Sequence, residues 1–251
     1  MISKTKWTIK SFQPVFNVLL LFDQENKSFS FTDIYKKLNI KKNTSYLYIN
    51  TLLELRLLEK REGRYYLGSR ILELARYYIL HYDLIEVIRK TMEHIHSITK
   101  ETIILSVLSE NKALCIHRID STNPIKVSSE IGRRLSLYSA ASPKVLLAFM
   151  PLEKSKKIIQ ETELIPFTEN TITDKNVLCD ELEKIRKNGF AVSSGELTDN
   201  VIEVAVPIFH LKNQIVASLG VAGPDFRMKN KIETIASILL KETGKISILG
   251  G

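Results

Sequence analysis

Apolar residues recur at helical spacing in three places within the first sixty positions. Phe12, Val15, Phe16, Leu19 and Leu20 predict a first helix, with Ser11 placed to cap it and Pro14 in its first turn. A polar break at 23–28 (DQENKS) leads to Phe31, Ile34, Tyr35 and Leu38 on a short second helix that begins near Ser30 or Thr32 and ends at Asn39. After Ile40, Lys41 and Lys42, a third helix is expected, capped by Asn43 and running to about Leu57. Projected at about 100° per residue, Ser45, Ile49, Leu52, Leu53 and Arg56 fall on or near one side. Asn43, Thr44, Leu47, Thr51 and Glu54 fall on the other, so one face packs and one is presented.

The period then shortens. Residues 58–67 (LEKREGRYYL) predict two short strands around Glu62 and Gly63, with Arg61 and Arg64 flanking the turn. A helix over 69–82 carries Ile71, Leu72, Leu74, Ala75, Tyr78 and Ile79, a broader apolar surface than one partner face needs. A second helix from Asp83 to about Thr99 precedes strand-like runs at 102–109, 113–120 and 125–131. Helices are expected at Ala140 to Phe149, 152–161 and Asp174 to Lys187, strands at 191–195, 202–209 and 214–223, and a closing helix from about Lys229 to Thr243. Strands interrupted by helices give an α+β domain with helices over an antiparallel sheet.

Charge sharpens the division. The 251 residues carry a formal net charge of +8, and residues 1–80 hold 14 Lys and Arg against 7 Asp and Glu, whereas 81–251 hold 22 against 21. An unevenly solvated surface would account for this, but a compact basic segment beside a neutral remainder better fits a nucleic-acid reader coupled to another domain. A short helix, a turn and a longer helix with a polar N-terminal end is the arrangement that places a recognition helix in the major groove. Lys41 and Lys42, in the turn, are candidates for phosphate contacts. Arg61 and Arg64 either reach phosphates or the minor groove from the tip of a wing, or belong to an ordinary solvated hairpin. Tyr46 and Tyr48 either offer hydroxyls to phosphate or form partial core, and core is the preferred reading for Tyr48.

Other function classes drop out. No run of eighteen apolar residues occurs, and the basic N-terminus lacks the apolar segment of a secretory signal, so a cytoplasmic protein without a membrane partner is expected. Cys115 and Cys179 are far apart and read as small structural residues. His81, His94, His96, His117 and His210 include no i, i+4 pair with an acid between, so neither a metal nor a cofactor is expected. GxSxG, GxGxxG and the P-loop are all missing, which argues against an enzyme. Asp174, Asp180 and Glu181 read as a solvated acidic face.

The order of these features resembles the IclR family of bacterial transcriptional regulators. Seven separated stretches carry the likeness: FSFTDIYKKLNIKKNTSYLYINTLLELRLLEK (29–60), GRYYLGSRILELA (63–75), IGRRLSLYSAASPKVLLAF (131–149), TITD (171–174), LEKIRKNGFAVSSGEL (182–197), VAVPIF (204–209) and LGVAGP (219–224). The resemblance implies a mostly α winged helix-turn-helix domain over 1–68, a linker helix over 69–82 and an α+β, GAF-like effector domain over 83–251, in dimers or tetramers. Departures are informative. The family's recognition helix commonly begins Ser-Thr-Val-His-Arg, where this chain has Asn43, Thr44, Ser45, Tyr46 and Leu47. Leu47 removes a phosphate or guanine contact and can pack on a thymine methyl, so an operator unlike the family's usual ones is expected.

Similarity to members that bind small carboxylates frames an effector site with Leu135, Ala140, Ala141, Ser142, Ser193, Glu203, Gly220 and Ala222. Those members carry hydroxyls on the last strand and an acid near the position of Ser193, so the site reads as less polar here. Glu203 is the exception. It either recognises a cationic or hydroxylated ligand, or faces solvent or pairs with a Lys or Arg, the second reading being preferred. A small anionic effector would find backbone amides at the start of the 140s helix, with Ser139 beside them.

The resulting reading is a ligand-responsive regulator, a repressor, that binds double-stranded operator DNA as a homodimer or homotetramer. The apolar surface of 69–82 packs on another subunit or covers its own domain's core. One alternative is a DNA-binding regulator with a degenerate, ligand-free sensor acting through protein partners. Another is an enzyme with a basic tether.

Overall fold

Ser30 ends one element and starts the next. Its hydroxyl accepts the Asp33 amide, and the Asp33 carboxylate accepts the Ser30 amide at 2.9 Å, a reciprocal cap contributing about 1 kcal/mol. The computed structural model describes residues 12–23, 25–81, 83–209 and 214–246, in two compact units, 1–82 and 83–251. Ser11 and His210 lie outside the described residues, as does the side chain of His81.

In the first unit, α1 (Phe12–Leu19), α2 (Phe31–Leu38) and α3 (Lys42–Glu54) enclose Val18, Phe29, Ile34, Ile49, Leu52, Leu58 and Tyr65. Each such aliphatic side chain contributes roughly 1.5–3 kcal/mol by leaving water. Asn39 closes α2 at φ 50°, a left-handed conformation that asparagine tolerates. Asn43 does not cap α3, contrary to expectation: the helix starts at Lys42, and Lys41 is the cap residue, without a side-chain bond. The buried Ser45 draws the start back by donating both its amide (2.9 Å) and its hydroxyl (3.1 Å) to the Lys41 carbonyl. β2 (Leu58–Arg61) and β3 (Arg64–Leu67) form the expected hairpin. Glu62 at φ 48° and Gly63 at φ 77° make the two-residue turn whose twist suits paired strands. A third strand, β1 (Phe29–Ser30), pairs with β3, Phe29 opposite Tyr65. α4 (Ser69–His81) follows.

The second unit is α+β. α5 (Asp83–Thr99) leads into an all-antiparallel sheet of β4 (Thr102–Ser109), β5 (Lys112–Ile119), β6 (Arg134–Ser136), β7 (Ala191–Ser194), β8 (Val201–Phe209) and β9 (Ile215–Pro224), in the order β6-β5-β4-β9-β8-β7. α6 (Ala141–Phe149), α7 (Leu152–Glu161) and α8 (Lys175–Asn188) lie between β6 and β7 in the chain, and α9 (Asp225–Met228), a single 3-10 turn and α10 (Ile232–Thr243) close it. Side chains alternate across a strand. On β8, Glu203 meets α6 and Ala205 joins the core that α6 to α8 build, while Ile202, Val204 and Val206 on the opposite side are also buried. α10 packs on β8 and against α5, so both faces of the central strands are covered.

Residues 125–131 are not a strand, against expectation. Side chains take the carbonyls that a ladder would have used. Arg227 donates to Ile125 O at 2.7 Å, Thr102 Oγ1 to Val127 O at 2.9 Å, and Arg118 to Ser129 O. The edge of the sheet is β6 instead. Nor is the acidic set on α8 a single solvated face: Asp174 caps the helix by accepting two amides, and Glu181 lies 3.5 Å from the buried Lys144 Nζ.

Candidate functional site

Two sets of residues are candidates, one in each unit. On α3, the 3.6-residue period buries Ser45, Ile49 and Leu52 and leaves Lys42, Asn43, Tyr46 and Leu47 exposed, with Lys41 exposed just before them and Thr44 half-buried. Tyr46 is held in place, its ring packed edge-on to Phe31 with centroids 5.7 Å apart. The six predicted residues from 41 to 47 therefore share one end of one helix. The hairpin arginines differ from each other. Arg61 is exposed, pairs with Glu59 on its own strand at 2.6 Å and lies over the Tyr66 ring, 5.8 Å from its centroid. Arg64 braces the segment before β1, donating Nε to Ser28 Oγ at 2.8 Å and Nη2 to Ser28 O at 3.0 Å.

In the second unit, a pocket opens between the sheet, the 127–133 segment, the start of α6 and the 197–201 loop. It holds about 660 Å3 of empty space, counting its open mouth. Leu135, Ala140, Ser142, Ser193, Glu203 and Ala222 line it, six of the eight positions predicted from sequence; Ala141 and Gly220 do not line it. A predominantly apolar wall with a few convergent polar groups is the usual make-up of a small-molecule site.

Glu203 is the polar centre. It is buried rather than solvent-facing and, among the described residues, forms no ion pair with a Lys or Arg, contrary to the preferred sequence reading. Ser142 Oγ donates to its Oε1 at 2.5 Å and the Ser142 amide to its Oε2 at 3.3 Å. Burial pushes the carboxyl above its ordinary range, opposed by these hydrogen bonds and by the charge of Lys144. Gly220 makes the arrangement possible, because a Cβ there would lie 2.5 Å from both Glu203 Oε1 and Ser142 Oγ. The amides at the start of α6, expected to be free for an anionic ligand, are thus occupied by a carboxylate of the chain itself. Cys115 lines the same wall, and burial raises its thiol pKa. The thiolate, the reactive form, is disfavoured.

Behind the pocket, Lys144 of α6 is fully buried. It donates to Glu196 at 2.7 Å and to the Val192 carbonyl at 3.2 Å. Burial pushes the Glu196 carboxyl above its ordinary range and the Lys144 charge opposes it; Glu196 Oε2 has no hydrogen-bond partner among the described residues. No group of His, Cys, Asp and Glu fit to hold a metal ion occurs among the described residues.

The family description "Bacterial transcriptional regulator IclR C-terminal" matches residues 76–248. The chain belongs to the IclR family. It is 30% identical over 243 residues to the HTH-type transcriptional regulator KdgR of Escherichia coli K12, covering 96% of this chain and 92% of that protein. It is 28% identical to the HTH-type transcriptional regulator KipR of Bacillus subtilis 168, covering 90% and 88%. Thermotoga maritima IclR is similar in structure, with a TM-score of 0.76 and 29% identity over 95% of this chain and 98% of that one. An IclR homologue from Microbacterium hydrocarbonoxydans, complexed with 4-hydroxybenzoate, shares the fold with a TM-score of 0.84 at 23% identity, covering 94% and 97%.

This IclR-family member is accordingly a DNA-binding transcriptional regulator and not an enzyme. No helix among the described residues is long and apolar enough to cross a membrane. Sequence reasoning missed most of the pocket wall, including Ile104, Ser106, Ala113 and Cys115 on the central strands, Val127 to Ser129, Arg133, and Leu197, Thr198 and Val201. The strand residues carry only the alternation signal, which does not say which buried face a cavity opens on.

Proposed function

We propose that this IclR-family regulator is a ligand-responsive repressor. In this reading, residues 1–68 form a winged helix-turn-helix that binds operator DNA, residues 69–82 a linker helix, and residues 83–251 a GAF-like effector domain, working in the cytoplasm as a homodimer or homotetramer. α3 is the recognition helix, with Asn43, Thr44, Tyr46 and Leu47 toward base edges and Lys41 and Lys42 toward phosphates; Arg61 and Arg64 belong to the wing. The observation that carries the reading is the split of α3, which buries Ser45, Ile49 and Leu52 and leaves a polar and basic N-terminal face exposed.

Self-association is needed to read a two-fold operator. α4 supplies a candidate surface, since Leu72 and Leu74 are exposed, at 75% and 52%. The pocket around Glu203 is the effector site, and the 4-hydroxybenzoate held by a protein of the same fold favours a bound ligand over a degenerate sensor. An effector acts by binding the two DNA-competence states unequally, and couplings of about 1–3 kcal/mol change operator affinity roughly 5- to 150-fold.

The test is a panel of small metabolites screened by thermal melting, with every hit added to the protein–operator complex. The reading requires a ligand that raises the melting midpoint and also shifts operator affinity. Hits that leave DNA affinity unchanged, with Lys41→Ala and Leu47→Ala binding DNA as the wild type does, would refute it.

A further inference from the structure

Glu203 does for α6 what a capping side chain ordinarily does, from a position sixty-one residues away. The cap residue of α6 is Ala140, whose side chain has no acceptor. Its first amides therefore depend on another group, and an anion is the natural occupant of such a seat. Glu203 fills it from across the pocket, accepting from Ser142 N and Ser142 Oγ, and Gly220 keeps clear the space that a Cβ would take. The nearby cations are committed elsewhere or lie at the surface. Lys144 is held by Glu196, Arg118 by the Ser129 carbonyl and Asp120, and Arg133 is exposed on the lining. A ligand carboxylate would find its seat taken by a buried group of the same charge.

We propose that Glu203 is a built-in stand-in for a ligand carboxylate, so that the pocket takes an uncharged or cationic effector donating hydrogen bonds to Glu203 and turns away small carboxylates. This rests on reading the pocket as the effector site. The free lone pairs of Glu203 and the hydroxyls of Ser106, Ser193 and Thr198 supply polar groups of the wall, with Arg133 exposed on it, and Ile104, Val127, Leu135 and Ala222 are among its apolar ones.

The experiment is anion rescue in the full-length protein. Glu203→Ala and Glu203→Ser are melted with sodium formate or acetate, with sodium chloride at equal ionic strength as the control. Both variants should melt below the wild type. At about ten times its dissociation constant, the carboxylate should raise their midpoints by about 3–6 °C beyond chloride. The wild type should show no such gain. If the variants are unfolded in plain buffer, refolding in formate but not in chloride is the same result. A failure of formate and acetate to exceed chloride in both variants would overturn the proposal, as would an equal gain in the wild type.

These outcomes are separate from the regulator reading, which is decided on DNA. They are also separable from the effector reading. Rescue of the variants, with no uncharged or cationic compound of a broad panel moving the wild-type midpoint, would overturn the effector half and leave the anion seat.

Discussion

Ser142 and Glu203 meet on the pocket wall, with the Ser142 hydroxyl 2.5 Å from one carboxylate oxygen and its amide 3.3 Å from the other. One residue of a helix start thus holds a strand carboxylate with both of its donors. Ser142→Ala removes the hydroxyl and leaves a buried carboxylate short of a partner, which costs about 1–3 kcal/mol. In a double-mutant cycle with Glu203→Gln, the coupling should be at least about 0.5 kcal/mol. Additive losses in urea titrations would show that the contact carries no stability.

The same carboxylate sets a pH dependence. Burial raises its pKa above the ordinary 4.5. Between 4.5 and that raised value, the folded chain holds a proton that the unfolded chain has released, so stability falls as pH rises through this window and this contribution is level above it. Glu196 shifts in the same direction through its own burial. Glu203→Gln removes one of the two contributions. Denaturation profiles from pH 4.5 upward should therefore fall less steeply for the variant than for the wild type. Parallel profiles would mean that Glu203 titrates at its ordinary value.

Lys144 is fully buried and paired with Glu196. Lys144→Ala leaves Glu196 unpaired beside its already unpartnered Oε2, at a cost of about 3–5 kcal/mol. Lys144→Met combined with Glu196→Gln removes both charges and should lose much less. Equal losses in the single and the double variant, measured by chemical denaturation, would exclude the ion pair as the cause.

The parts of the fold visible in sequence were those in which local chemistry and packing agree. Ser30, Asp33 and Asn39 bound α2 as their residue types suggest, and Glu62–Gly63 makes the hairpin turn. β1 was not legible, because two residues carry no periodicity and their pairing with β3 is a tertiary matter. The 125–131 segment alternates like a strand, but Thr102, Arg118 and Arg227 capture its carbonyls, and no local pattern reports partners so distant in sequence. Lys144 was invisible for a related reason: a lysine on a helix ordinarily points to water, and the acids that hold it inside stand on α8 and beyond β7. Glu203 was singled out as an odd carboxylate in an apolar strand, but its use depends on Gly220 making room and on α6 offering amides, neither of which shows along the chain.

On the DNA side, Lys41 and Lys42 are exposed and have no salt-bridge partner among the described residues, whereas Arg64 is tied to Ser28. Lys41→Ala and Lys42→Ala should weaken binding to all sequences alike. Each should reduce the slope of log affinity against log salt by about 1. Unchanged slopes would remove these residues from the phosphate contacts. Leu47→Arg should act differently, altering which bases are preferred.

Specific operator recognition through the exposed face of α3 can be measured by capturing sheared genomic DNA on the full-length protein at near-physiological salt and sequencing what is retained. The expected result is sharp enrichment of a two-fold symmetric site beside a few operons, lost or changed in sequence with Leu47→Arg. Uniform, salt-sensitive retention with no shared site, the same for wild type and variant, would contradict it.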